Sequence, residues 1–449
     1  MPVSPARAAA FAILLRVEKT DAYASELLHS SHLNALSPAD HGLATELVMG
    51  VLRWRSVLDS HIAEHATQAI AKLDLEVLTA LRLGTYQLLF LSRIPRHAAV
   101  NESVELVKHA RKRSAAGMVN VVLRKTAQDS SKPSNAVSEG AAGLQCAAEL
   151  QIAAHPEWLV KRWVQNYGPD PAKLICAYDQ AQPHTTIRVN DSTLVEQLPA
   201  EGLKLEPGRL LAKAITVSAG EITQTSAFRE RRLVIQDEAS QLVALLVGKA
   251  NSILDCCAAP GGKTRILAER NPDARVVALE LHPHRAALLK KLVPLANVRV
   301  IAADARRIPL RDQFERVLVD APCTGTGTLA RNPEIKWRLK PEDICRLQAY
   351  QSEILRAAME QVAPGGRLIY STCSLEPEEN SEVVEKALAI NSSFRLVDCR
   401  AELLRLRQDG ALQIENVDSF LSGPYLRTIP GVHQCDGFFA AILEKSSAI

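Results

Sequence analysis

Two segments of this 449-residue chain set a cysteine among residues that could support covalent chemistry. One is DAPCTGTG, with Asp320, Pro322 and Cys323. The other is STCS, with Thr372, Cys373 and Ser374. Each follows a short apolar run, RVLVD or RLIYS, so each cysteine falls at the carboxyl end of an expected strand. A lone cysteine is usually a small buried hydrophobe. Two at equivalent strand ends shift the balance towards a nucleophile, because neighbouring strands lie only about 4.8 Å apart. A free thiol with pKa of about 8.5 is a few per cent ionised at neutral pH. Lowering that value to about 7 would add roughly 2 kcal/mol of reactive population, and Lys263 is a cation that could do so. Spacing alone does not assign separate roles to the two thiols.

A third loop, CCAAPGGKT, follows the run SILD and precedes a helical pattern. In a doubly wound sheet, ligands sit at the carboxyl ends of the strands. Cys257, Ala258, Ala259, Pro260, Gly261 and Gly262 carry mostly small side chains, so backbone N–H groups can face a ligand there, with Lys263 beside them. The pattern is neither GxGxxG nor a P-loop. By itself it is also what an ordinary strand–helix turn looks like. The next expected strand ends in Glu280, 25 positions after Asp255, where a carboxylate can accept from ribose hydroxyls. The third runs into AADAR, which puts Asp304 near an adenine edge. Any one of these acids could simply cap a helix. Acids at successive strand ends point instead to a cofactor carrying adenosine, without separating NAD from S-adenosylmethionine.

The elements that must position these residues lie in the last part of the chain. From about residue 236, apolar runs and helical stretches alternate: Ser252–Asp255, Arg275–Leu279, Val298–Ala302, Arg316–Asp320 and Arg367–Ser371. This is the signature of a doubly wound, mostly parallel α/β sheet of Rossmann type. Phe438–Leu443 reads as one more strand, antiparallel at an edge. Residues 1–127 look all-helical, with Phe11, Leu14 and Leu15, then Leu43, Leu47 and Val51, at helical spacing. Ser4-Pro5 reads as a helix N-cap with proline at the first helical position. Residues 128–145 are rich in Ser, Gly and Pro and read as a linker. Residues 146–235 read as a small α+β module, with a helix around Pro156–Tyr167 and strands at Thr185–Val189, Leu203–Leu205 and Ile215–Val217.

Composition narrows the partners. With 47% hydrophobic residues each part can bury a core, and a net charge of +3 leaves nucleic-acid contacts to local patches. Through Lys125 there are 15 Lys+Arg against 11 Asp+Glu, clustered at Lys108, Arg111, Lys112, Arg113, Arg124 and Lys125. A solvated helix face explains such a cluster equally well. Aromatics at 4% are too few for gripping single strands by stacking alone. The 9 cysteines form no CxxC pair, which favours reduced thiols over zinc sites or disulfides, and no metal is expected. The opening apolar run is closed by Arg16, Glu18 and Lys19, so a cytoplasmic chain without a membrane segment is expected.

Taken together, DCCAAPGGKT, DAPCTGTG and STCSLEPEEN resemble the RNA cytosine-5 methyltransferases of the NOL1/NOP2/Sun family, and VIQDEASQLV and DGFFAAIL fit the same pattern. HAAVNESVELVKHARK through GMVNVVLRK (His97–Lys125) is similar to the helical fold of the antitermination factor NusB. The combination resembles the bacterial members acting on 16S rRNA, over nearly the whole chain. The resemblance implies a NusB-like RNA-binding domain at 1–127, a small RNA-binding module at 146–235 and a methyltransferase domain at 236–449. It implies S-adenosyl-L-methionine as cofactor, held by Cys257 to Lys263, Glu280, Asp304 and Asp320. It further implies Cys373 as the nucleophile and Cys323 as the thiol that helps eliminate the product. DNA enzymes with the same chemistry use the Pro-Cys position instead. Glu280 stands where Asp is common, and ADAR replaces the frequent GDAR. The expected substrate is an unpaired or flipped cytosine of 16S rRNA, and the expected state is a monomer. A rival is a non-catalytic NusB-like RNA-binding factor, against which the intact Cys323, Cys373 and Asp320 argue. Another is a dinucleotide oxidoreductase.

Overall fold

In the computed structural model, which describes residues 3–30, 33, 35–129 and 148–447, the chain divides into two compact units. The first comprises Met1–Gln182 and Leu329–Arg338; the second comprises Pro183–Thr328 and Leu339–Ile449.

The first unit is helical. Its centre is the helix Leu75–Phe90, buried at every position from Val77 to Leu88. A helix apolar all round must be enclosed. It is enclosed by Pro5–Lys19, Pro38–His65, Arg96–His109 and Ala116–Asp129. Gly50 allows one close approach, since a Cβ there would fall 1.9 Å from the Tyr86 ring. The buried Arg82 is neutralised by Asp59 through two bonds, Nε to Oδ1 at 2.7 Å and Nη2 to Oδ2 at 2.8 Å. Ser4 is the N-cap residue before Pro5, but its side chain does not cap the helix; its Oγ accepts from Arg7 instead. Most of the expected linker, 130–145, lies outside the described residues. The helix before it runs on to Asp129.

The helices Glu157–Tyr167 and Pro169–Gln180, expected to start a separate module, belong to this helical unit. So does the segment 329–338, which lies just beyond the Cys323 loop in sequence. Lys336 donates to Arg53 O at 3.0 Å and Trp337 Nε1 to Leu52 O at 2.6 Å. Arg338 donates to Val17 O and Ala22 O, both at 2.7 Å, while Glu334 accepts from Ala24 N at 2.8 Å. Lys336 is 1% exposed.

The second unit holds two sheets. A small antiparallel sheet has the order β2-β3-β1-β4, from β1 (Thr185–Arg188), β2 (Lys204–Pro207), β3 (Ala214–Ala219) and β4 (Val234–Ile235). The larger sheet is parallel from β7 (Val298–Ala302) through β6 (Arg275–Glu280), β5 (Ser252–Asp255) and β8 (Phe314–Asp320) to β9 (Val362–Thr372). Its central strands are apolar on both faces, as helix-covered parallel strands must be. β13 (Phe439–Lys445) pairs antiparallel with β9, as expected, but it is not an edge. β10 (Phe394–Val397) and β12 (Tyr425–Arg427) pair with it, and β11 (Leu421–Ser422) extends beyond β12. These three strands are two to four residues long, too short to show a period in sequence.

Burial pushes the Lys336 ammonium down to about 7. The unfolded chain, with lysine near 10.4, binds more protons between those values, so this group's penalty shrinks as pH rises. Lys336→Met is therefore expected to gain on wild type at pH 7 and to lose that advantage, by about 2 kcal/mol, at pH 9.5. Urea unfolding at both pH values measures the gap. A gap independent of pH would show that the ammonium titrates normally.

Candidate active site

The three loops identified in the sequence meet at the carboxyl ends of β5, β8 and β9. Asp320 lies opposite Ser371 in the parallel β8–β9 ladder, and Ala321 N donates to Ser371 O at 2.8 Å. From that shared level both chains turn outward. Cys323 Sγ and Cys373 Sγ come within 3.3 Å of each other, as free thiols. Both are partly accessible. Sharing a hydrogen with Cys373, together with burial, raises the Cys323 thiol well above its ordinary value.

Asp320 Oδ2 accepts from Lys263 Nζ at 2.7 Å and Oδ1 from Ser371 Oγ at 2.8 Å. Lys263 also lies over the Phe438 ring, 5.1 Å from its centroid. The Lys263 ammonium is paired with Asp320 and holds that carboxylate between the two cysteine loops.

On the cofactor side, Asp255 is fully buried and accepts from Thr264 Oγ1 at 2.7 Å, while its Oδ1 has no partner. Burial raises its carboxyl to about 7. Gly261, at φ +116°, starts the helix Gly262–Arg270. A Cβ at Gly261 would fall 2.5 Å from Leu289 Cδ1, so both conformation and space demand glycine. The Ala259–Pro260 peptide is cis. Glu280, 5% exposed at the end of β6, accepts from His282 N at 3.0 Å. Asp304 is partly exposed and bound by Arg306, whose hydrogen bonds hold its carboxyl below the usual range. Arg306 in turn lies over the Tyr350 ring at 4.8 Å. The orphaned Asp255 oxygen, the glycine turn and the acids at the strand ends suit a cationic ligand with hydroxyls to donate.

Several residues of the site were not singled out from sequence. Glu379 is buried and receives four hydrogen bonds from the cysteine loops and Gln351. Asn380 donates to Ser374 O at 2.9 Å and accepts from Thr372 Oγ1 at 2.5 Å. Thr326 Oγ1 accepts from Leu375 N at 2.8 Å, and Gly327 N donates to Cys373 O at 2.9 Å. Gly327 also packs on Gly437, where a Cβ would fall 2.2 Å from the carbonyl oxygen. Within PEEN, an acidic run normally read as solvated, nothing local separates the buried Glu379 from its neighbour Glu378.

Known proteins are similar to this chain over nearly its whole length. The family model described as 16S rRNA methyltransferase RsmB/F matches residues 242–444, which carry the larger sheet and all three loops. Models for the NusB family and for a ferredoxin-like domain of RsmF/B-like methyltransferases match 4–128 and 155–222. A Bacillus subtilis relative, "Probable ribosomal RNA small subunit methyltransferase B", is 35% identical over 99% of this chain and 100% of its own length. The Vibrio cholerae protein named ribosomal RNA small subunit methyltransferase B is 33% identical over 98% and 97%. The chain belongs to this methyltransferase B family. A crystal structure of a protein designated PH0851 superposes with TM-score 0.80 at 25% identity, over 99% of this chain and 100% of that one.

The cradle makes Gly261→Ala a sharp test. Strain at positive φ plus the clash with Leu289 should cost about 1–3 kcal/mol in chemical denaturation. An unchanged midpoint would mean that the turn has room for a side chain.

Proposed function

We propose that this protein transfers a methyl group from S-adenosyl-L-methionine to carbon 5 of a cytosine in 16S rRNA, with Cys373 as covalent nucleophile and Cys323 as the thiol that assists product release. The observation that carries this is the 3.3 Å approach of the two sulfurs beside the Asp320–Lys263 pair. The assignment of roles follows the Thr-Cys-Ser and Pro-Cys positions of the family the chain resembles. When bound, the cofactor supplies an electrophilic methyl group on a sulfonium.

Carbon 5 of cytosine is a poor nucleophile. Addition of the Cys373 thiolate to carbon 6 turns the ring into an enamine-like species whose carbon 5 can take a methyl group. The carbon-5 proton then leaves, the bond between carbon 6 and sulfur breaks, and the thiolate is restored. Asp320, held by Lys263 and Ser371, is suited to accept from the exocyclic amine of the base, which would orient the ring over the thiols. Cys323, 3.3 Å away, can hydrogen-bond the Cys373 sulfur. Cys257, Ala258, Ala259, Pro260, Gly261 and Gly262 would line the cofactor, with Lys263 and Asp320 flanking it, Glu280 accepting from ribose hydroxyls and Asp304 near the adenine.

A stacked, paired cytosine is closed to a thiolate, so the substrate base must be unpaired or flipped. The exposed Arg111, Arg113, Arg124 and Lys125 of the helical unit suit phosphate contacts. We further propose the division 1–127, 146–235 and 236–449 into NusB-like, small RNA-binding and methyltransferase parts, acting as a cytoplasmic monomer. Among the described residues no helix is long and apolar enough to cross a membrane.

Cys373→Ala is expected to abolish methylation of 16S rRNA, and Cys323→Ala to accumulate a covalent RNA–protein adduct on a denaturing gel. If Cys373→Ala turns over like wild type, or if it alone traps the adduct, the roles are wrong. Calorimetric titration of wild type with S-adenosylmethionine separates this reading from a non-catalytic RNA-binding factor, which should not bind it.

A further inference from the structure

Glu379 is a buried carboxylate for which no ion pair is found among the described residues. A buried carboxylate without a cation survives only if donors replace its lost water. Glu379 Oε1 accepts from Thr324 N at 2.9 Å and Gln351 Nε2 at 2.8 Å. Oε2 accepts from Thr324 Oγ1 and Ser374 Oγ, both at 2.5 Å.

The identity of these donors is what matters. Thr324 directly follows Cys323, and Ser374 directly follows Cys373. Thr324 Oγ1 and Ser374 Oγ also lie 2.9 Å apart, so the residues after the two thiols touch each other across the carboxylate. Gln351, from the helix Pro341–Glu360, uses the same amide nitrogen to reach Pro322 O at 2.9 Å, which grips the Cys323 loop from its other side. Glu379 is itself fixed, since its own carbonyl accepts from the buried Tyr370 hydroxyl on β9 at 2.7 Å. A single residue thus connects strand β9 through its carbonyl, and the helix Pro341–Glu360 and both cysteine loops through its carboxylate.

We propose that Glu379 is the positioning residue for the two thiols: by tying the residue after each cysteine to one carboxylate, it sets the separation and common orientation of Cys323 and Cys373. It touches neither substrate nor sulfur. This rests on the two-thiol reading above. Catalysis by a held nucleophile is sensitive to such placement, and an error of about 1 Å can cost on the order of 100-fold in rate. Glutamine in this place keeps the volume but offers one accepting oxygen where two are used, and turns an NH2 towards donors.

The test uses the full chain with 16S rRNA. Glu379→Gln is expected to lower kcat about 100-fold and to slow formation of the covalent adduct equally. The calorimetric Kd for S-adenosylmethionine and the KM for RNA should stay within about 3-fold of wild type, because the carboxylate faces the cysteine loops and not either ligand. A kcat within about 3-fold of wild type overturns the proposal. So does an equal loss of cofactor affinity, which a general loosening of the domain would produce. Thr324→Val and Ser374→Ala keep the test open if Glu379→Gln does not fold. Each removes one tether, and each should lower kcat about 5- to 20-fold with cofactor affinity retained. Coupling between them in a double-mutant cycle is expected, and strict additivity contradicts a shared tether. Should Cys373→Ala remain active, the two-thiol reading fails. Should Cys373→Ala be dead while all three tether variants behave like wild type, only the role of Glu379 fails.

Discussion

The parallel pairing of β8 with β9 is the constraint from which the site follows. It sets Asp320 opposite Ser371, and each strand then has two residues before its cysteine or fewer. Two neighbouring strand ends therefore deliver two sulfurs to one place, 3.3 Å apart. Parallel strands need a long crossover, here the helix Pro341–Glu360, and that helix returns Gln351 to the base of the Cys323 loop. The topology that brings the strands together thus also supplies one of the groups that stiffens the loops.

Electrostatics reinforces the placement. Asp255, Glu280 and Asp320 gather negative charge at the ends of three strands, and Lys263 answers only one of them directly. Burial raises the Asp255 carboxyl to about 7, against the hydrogen bond from Thr264 that favours its charged form. Burial raises the Glu379 carboxyl too, and its four donors come from the cysteine loops and Gln351.

Much of this was legible in the sequence. SILD and VRVIA match β5 and β7 in full, because buried parallel strands are apolar runs bounded by turns, and the motif loops fall where such strands must end. The antiparallel pairing of FFAAIL was foreseen but not its interior position, since its outer neighbours β10, β11 and β12 are too short to announce themselves. The ownership of 329–338 by the helical unit was invisible. It depends on Trp337 and Arg338 meeting carbonyls some 300 residues earlier in the chain. Lys263 was one candidate cation for lowering a thiol pKa, and its bond to Asp320 depends on side-chain geometry that the motif does not encode. Glu379 was hidden for a like reason: its partners at 324, 351 and 374 are set by strand order, which no local pattern encodes.

The central claim is that Cys373 bonds the target pyrimidine while Cys323 waits beside it. It is tested most directly by incubating the protein with S-adenosylmethionine and 16S rRNA in which cytosine carries fluorine at carbon 5. Fluorine cannot leave as a proton does, so the methylated adduct should persist, and peptide mass spectrometry identifies the attached residue. The account predicts one nucleotide, methylated, on the peptide containing Cys373. Attachment at Cys323, or methylated RNA with no protein attached, would contradict it.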